Sequence, residues 1–266
     1  MRSALELGGR RMPLLRWSFL RMAFGMRALK RDWQVGDGRE QALAEYVLAN
    51  ARPGDVDDAI RVVDDFCMTR SFMINIGDEK GEILDRAVQR CEPKLLLELG
   101  AYCGYSGLRM ARVMQPDAHL YSIEYSAANA EIAQRIWTHA GVDERLTVVV
   151  GTLGDGGATS ARLSDEFGFR EGALDFVFID HDKGAYVPDL ELILEHRWLH
   201  PGSIVVADNI KMPGAPEYQA YMNAAEGELW RTTAHDTHAE YQSLFRDVVL
   251  ESEYLDAADR GGGTAP

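Results

Sequence analysis

Residues Lys94 to Ser106, KLLLELGAYCGYS, decide the fold of this chain. Leu95, Leu96, Leu97 and Leu99 form an apolar run of the length expected for a buried parallel strand. Gly100 and Gly104 then permit backbone conformations and close approaches that a Cβ would forbid. Beyond Tyr105 and Ser106, the residues Leu108, Met110, Ala111, Val113 and Met114 follow a helical pattern. A strand that passes through a glycine turn into a helix is the opening unit of a nucleotide-type α/β site. The two glycines lie four residues apart, without the third that a dinucleotide fingerprint requires. The turn therefore points to an adenosine-containing ligand and away from a nicotinamide oxidoreductase.

Downstream, strands and helices alternate. His119–Glu124 reads as the second strand, Ser126–Ala140 as a helix closed by Gly141, and Leu146–Val150 as the third strand. Leu174–Ile179 is the fourth, and Ile204–Ala207 the fifth, entered through a His200-Pro201-Gly202 turn. Leu190, Ile193 and Leu194 mark a helix between them. Trp230–Ala234 and Val248–Leu255 read as a closing hairpin that adds an antiparallel edge. Upstream, Ala42 to Leu48 and Asp57 to Cys67 read as helices, and Asp78 as the cap of a third carrying Ile83, Leu84 and Val88. The expected fold is a doubly wound, mainly parallel α/β sheet in one domain, residues 39–258.

Residues 1–31 carry eight cations against Glu6, a net of +7, within a chain of net charge −14. Leu15, Phe19, Met22, Met26 and Leu29 give that segment a helical apolar stripe. Residues 1–38 are thus expected to be a basic amphipathic extension, able to lie on an anionic membrane or a partner, or to pack on its own domain. Residues 259–266 read as a flexible tail. The acidic remainder argues against nucleic-acid binding, which needs a basic face. Cys67, Cys91 and Cys103 are odd in number and lack any CxxC, which suggests reduced thiols and a cytoplasmic protein, peripheral to a membrane if the extension binds one.

In an open α/β sheet the ligand binds at the carboxyl ends of the strands. Glu124 ends the second strand and is suited to accept hydrogen bonds from ribose hydroxyls. Asp180 ends the fourth, and Asp208-Asn209 the fifth; two carboxylates and an amide oxygen make a hard-oxygen set suited to Mg²⁺. Lys183, three residues after Asp180, is a candidate general base. Taken singly, each of these also fits an ordinary surface residue or helix cap.

Five motifs in order, NIGDEKG (75–81), LELGAYCGYS (97–106), VVVG (148–151), FIDHDKGAYVPD (178–189) and ADNIKMPGAP (207–216), resemble the catechol O-methyltransferase family. The resemblance runs from about Ala42 to Leu255. It implies a seven-stranded Rossmann-like methyltransferase sheet, S-adenosylmethionine as donor, Mg²⁺, and a catechol-type aromatic diol as acceptor. By position, Asp180, Asp208 and Asn209 match the metal ligands and Lys183 the general base. Glu124 matches the acid that holds the ribose, and Gly100, Tyr102 and Ser106 line the donor's methionine end. Asn75, Ile76, Tyr125, Gly151, Thr152, Asp180 and His181 complete the expected donor-binding set. Phe72 and Pro213 match walls around the acceptor ring, where Lys183, Asn209 and Glu240 also contact substrate. Three features depart from the pattern. Asp182 and Phe72 stand where the family has tryptophans, and the late loop carrying Glu240 differs in length. Another vicinal-dihydroxy aromatic, of caffeoyl or flavonoid type, is the alternative acceptor. A donor-binding protein without turnover is the alternative outside catalysis.

Overall fold

The computed structural model describes residues 34, 36–241 and 244–255. Apart from residues 34 and 36–38, the basic amphipathic segment expected over residues 1–38 lies outside the described residues, as does the tail expected over residues 259–266. Among the described residues, no helix is long and apolar enough to cross a membrane.

Three helices precede the sheet: α1 (Arg39–Asn50), α2 (Val56–Thr69) and α3 (Gly77–Cys91). Then β1 (Leu95–Leu99), α4 (Tyr105–Val113), β2 (His119–Glu124), α5 (Ala127–Ala140) and β3 (Leu146–Val150) alternate. They are followed by α6 (Ala158–Phe167), β4 (Leu174–Ile179), α7 (Tyr186–Glu195), β5 (Leu199–Ala207) and α8 (Pro216–Ala224). Two long strands, β6 (Trp230–His238) and β7 (Arg246–Tyr254), close the sheet. The first four strands have the expected limits, because each is a short segment rich in apolar and β-forming residues bounded by turn signals.

Elsewhere the structure departs from expectation. Strand β5 begins at Leu199 and absorbs the His200-Pro201-Gly202 turn, with a register irregularity opposite Leu174 and Phe176. Strand β6 runs four residues past Ala234, to His238, and β7 starts at Arg246 and ends at Tyr254. Their added residues pair through backbone, so an apolar reading stops short of them. Helix α3 is capped at Ile76, with Asp78 inside its first turn, and Asp78 Oδ1 accepts from Glu79 N–H. Asn75 Oδ1 instead accepts from Gly77 N–H, which makes the turn that Asp78 was expected to make.

The strand order is β3-β2-β1-β4-β5-β7-β6, parallel except where β7 pairs with β5 and β6. Alternate strand residues supply two cores. Leu96, Phe176, Phe178 and Val206 face α1 to α5, while Leu97, Val177, Ile179 and Val205 face the layer containing Leu163, Leu190 and Met222. The order reverses between β1 and β4, so the crevice beyond their carboxyl ends is where a ligand site is expected.

Candidate active site

Gly100 sits in that crevice. Its φ is +104°, and a Cβ there would lie 2.8 Å from the Asp180 carbonyl oxygen. Only glycine lets the ends of β1 and β4 approach this closely. The turn that follows is tied to β2 through Glu124, whose Oε2 accepts from Tyr102 N–H (2.7 Å) and Oε1 from Ser126 N–H (2.8 Å). Burial raises the Glu124 pKa, opposed by those two backbone donors and by Asn129. Tyr102 adopts a left-handed φ of 47°, and its hydroxyl donates to the buried Glu40 on α1 (3.0 Å). Ser106 turns its hydroxyl inward to the fully buried Glu98, which Ser122 also contacts. Burial pushes the Glu98 carboxyl up to about 7 despite these two serine donors.

The other expected donor-side residues differ in exposure. Asn75 and Ile76 are buried, and the Asn75 side chain is committed to Gly77 and Cys67. Tyr125 is exposed at the end of β2, and Gly151 and Thr152 are half-buried after β3. His181 stacks on Tyr186 and is hydrogen-bonded through Nε2 to Asp189 Oδ2 (2.8 Å), while its buried Nδ1 has no hydrogen-bond partner. Asp182 is exposed and accepts from Gly184 N–H (3.0 Å), capping the 3-10 turn Lys183–Ala185.

The other side of the crevice is built from side chains. Lys183 Nζ donates to Asp180 Oδ1 (3.0 Å) and to the Tyr186 hydroxyl (2.6 Å), which in turn donates to the Asp208 carbonyl (3.2 Å). Asn209, held at φ +57°, donates its amide nitrogen to Glu240 Oε1 (3.1 Å) and Asp247 Oδ2 (3.2 Å). Glu240 therefore joins the strand-end set from a loop 31 residues further on. Its approach depends on Gly77, where a Cβ would meet Glu240 Cα at 3.3 Å. Phe72 is buried, and Pro213 is exposed and follows a cis Met212–Pro213 bond.

Two further residues organise this half. Lys80 is 1% exposed, with Nζ 2.7 Å from Asp208 Oδ2, 2.5 Å from Glu240 Oε1 and 3.2 Å from Asp247 Oδ2. Burial alone would push its pKa down, but those three carboxylates carry it well above the ordinary lysine range. Asp247 Oδ1 accepts from the N–H groups of Lys211, Met212 and Val248, so one carboxylate holds the loop after β5. Burial would raise the Asp247 pKa, yet Lys80 and these backbone donors hold it below the usual range. Burial raises both Asp180 and Asp208, opposed by Lys183 and Lys80. Sequence reading missed Lys80, Asp247 and Glu40. A signal existed for Lys80: it precedes Leu84 by four residues and Val88 by eight, which puts it on the buried stripe of α3.

The donor set fits a hard divalent cation. Asp208 Oδ2 is buried and has no hydrogen-bond donor, since the Lys80 ion contact is out of hydrogen-bond alignment. The Asn209 amide nitrogen is committed, which turns its oxygen the other way. Among the described residues, no group of three His, Cys, Asp or Glu side chains is spaced to hold a metal. The candidate set is instead two carboxylates and an amide.

A family model described as O-methyltransferase matches residues 63–241. The chain is 57% identical over 234 residues to a Mycobacterium tuberculosis protein named "Probable O-methyltransferase", covering 88% of this chain and all of that one. It is 33% identical to mouse catechol O-methyltransferase over 232 residues, 87% of this chain and 83% of the mouse protein. Among solved structures, the O-methyltransferase TomG of Streptomyces achromogenes in complex with SAM aligns with a TM-score of 0.59 at 17% identity, over 91% of this chain and 100% of that one, a likeness of fold. The fold, the family model and these relatives agree, and the chain belongs to the O-methyltransferase family, which is S-adenosylmethionine-dependent.

Proposed function

We propose that the protein transfers the methyl group of S-adenosylmethionine to one hydroxyl of a catechol-type small molecule, in a reaction that depends on Mg²⁺. The observation that carries this reading is the convergence of Lys183, Asp180, Asp208, Asn209 and Glu240 beside the Gly100 turn. When bound, the donor supplies an electrophilic methyl on a sulfonium, and a cation held by Asp180, Asp208 and Asn209 acidifies and orients the acceptor hydroxyls. The chain's own part is mainly positioning, since methyl transfer is a single in-line displacement. The close β1–β4 approach at Gly100 seats the methionine end, with Tyr102 and Ser106 behind it. Glu124 accepts from the ribose, and the unpartnered Nδ1 of His181 is free for the adenine side. Phe72 and Pro213 flank the acceptor ring. Glu240 receives the hydroxyl that is not methylated, and Lys183 Nζ takes the proton of the one that is.

Incubation with labelled donor and a panel of ortho-diphenols, with and without chelator, tests the reading. Chelator-sensitive methylation of a catechol is expected; no metal-dependent transfer to any ortho-diphenol sinks it. Lys183→Met should lower kcat by about a hundredfold or more while the donor Kd stays within about twofold. Unchanged turnover would remove Lys183 from the mechanism.

A further inference from the structure

Lys80 is a buried ammonium in contact with three carboxylates of the site. It approaches Asp208, Glu240 and Asp247 at 3.2 Å or less, from a helix more than 120 residues away in sequence. Each of those carboxylates has a second task. Asp208 offers the buried Oδ2 that lacks a hydrogen-bond donor, Glu240 anchors the Asn209 amide, and Asp247 anchors both Asn209 and the loop after β5. Asp180, the fourth carboxylate of the site, is paired with Lys183 at 3.0 Å.

We propose that Lys80 is a resident cation of this site: it holds the carboxylates in place before a divalent cation binds, and it limits how tightly that cation is held. The inference rests on the cation assignment made under Proposed function. Without an internal counter-ion, four carboxylates packed this closely would repel one another in a medium that screens poorly. With one, the bowl is preformed. The fixed charge also opposes an incoming cation, so the site is kept exchangeable. Lys80 touches neither reacting atom and is a positioning residue.

The test uses the full chain as wild type, Lys80→Met, Lys80→Gln and Lys80→Arg. Binding of Mn²⁺ is followed by its electron paramagnetic resonance signal, and thermal unfolding is recorded in chelator and in excess Mg²⁺. Lys80→Met and Lys80→Gln are expected to have a lower Tm in chelator, a larger rise in Tm with Mg²⁺, and a Mn²⁺ Kd lower by about tenfold or more. Lys80→Arg, which keeps the charge, should bind Mn²⁺ within about threefold of wild type. General damage to the fold weakens metal binding, whereas only removal of a competing charge tightens it. Lys80→Gln retains a hydrogen-bond donor and carries the test if Lys80→Met does not fold. If wild type binds Mn²⁺ and neither neutral variant binds it more tightly, the role assigned to Lys80 is overturned and the cation site stands. If wild type binds no Mn²⁺, the cation assignment itself fails, and this proposal with it.

Discussion

The two sides of the crevice are built differently. On the β1–β2 side, backbone does the shaping: a left-handed glycine, a left-handed Tyr102, and a carboxylate that spans two N–H groups within one βαβ unit. On the β4–β5 side, side chains do it. Lys80, Asp180, Asn209, Glu240 and Asp247 arrive from α3, three strand ends or loops, and β7, with partners up to 167 residues apart. A seat for a constant donor can be made by local geometry. A site that orients a cation and a diol, as proposed for this side, needs directed charges, and such charges survive burial only when paired.

The contrast predicts that damage spreads on the side-chain half and stays local on the backbone half. Asp247→Ala should be the most damaging single change. It leaves the buried Lys80 and Asn209 short of a partner and frees three backbone donors. A loss of about 3–5 kcal/mol is expected in chemical denaturation, with loss of divalent-cation binding. A loss under about 1 kcal/mol would mean that the two halves are equally tolerant.

Glu98→Gln probes the buried carboxylate of the donor half. The Glu98 pKa rises from 4.5 to about 7 on folding, so the native state binds a proton that the unfolded chain has released. Wild-type stability from this group is present below pH 4.5 and is lost as pH rises to about 7. The variant should therefore gain on wild type between pH 5 and pH 8, by at most about 3 kcal/mol. Denaturation at both pH values measures it; a difference independent of pH would mean that Ser106 and Ser122 stabilise the ionised form fully. The smallest effect is expected at Ser126→Ala. Ser126 caps α5 by accepting from Asn129 N–H at 3.4 Å, a long bond, and its own N–H to Glu124 remains. A cost of about 0.5–1 kcal/mol, with donor affinity unchanged, is expected by thermal melts and calorimetry. A tenfold loss of donor affinity would show that local caps also tune the seat.

Legibility in the sequence follows the same division. Leu95–Leu99, His119–Glu124, Leu146–Val150 and Leu174–Ile179 were readable to the residue, because each is a short segment rich in apolar and β-forming residues bounded by turn signals. Glu124, Asp180, Asp208 and Asn209 were readable as polar residues that end such runs. Helices α6 and α8 were not: ATSARLSDEF bears few apolar residues, and PEYQAYMNA begins at a proline that also reads as a loop. Lys80 was hidden because a lysine among charged helix residues usually faces water.

What the sequence by itself determined is the sheet, the glycine turn and the acids at its strand ends, since short apolar runs and Cβ-free positions have few physical alternatives. Only the tertiary structure decided that Lys80, Glu240 and Asp247 meet there. Charge pairing over more than a hundred residues leaves no local pattern; it exists only once the chain has closed and each buried charge has been brought against its partner.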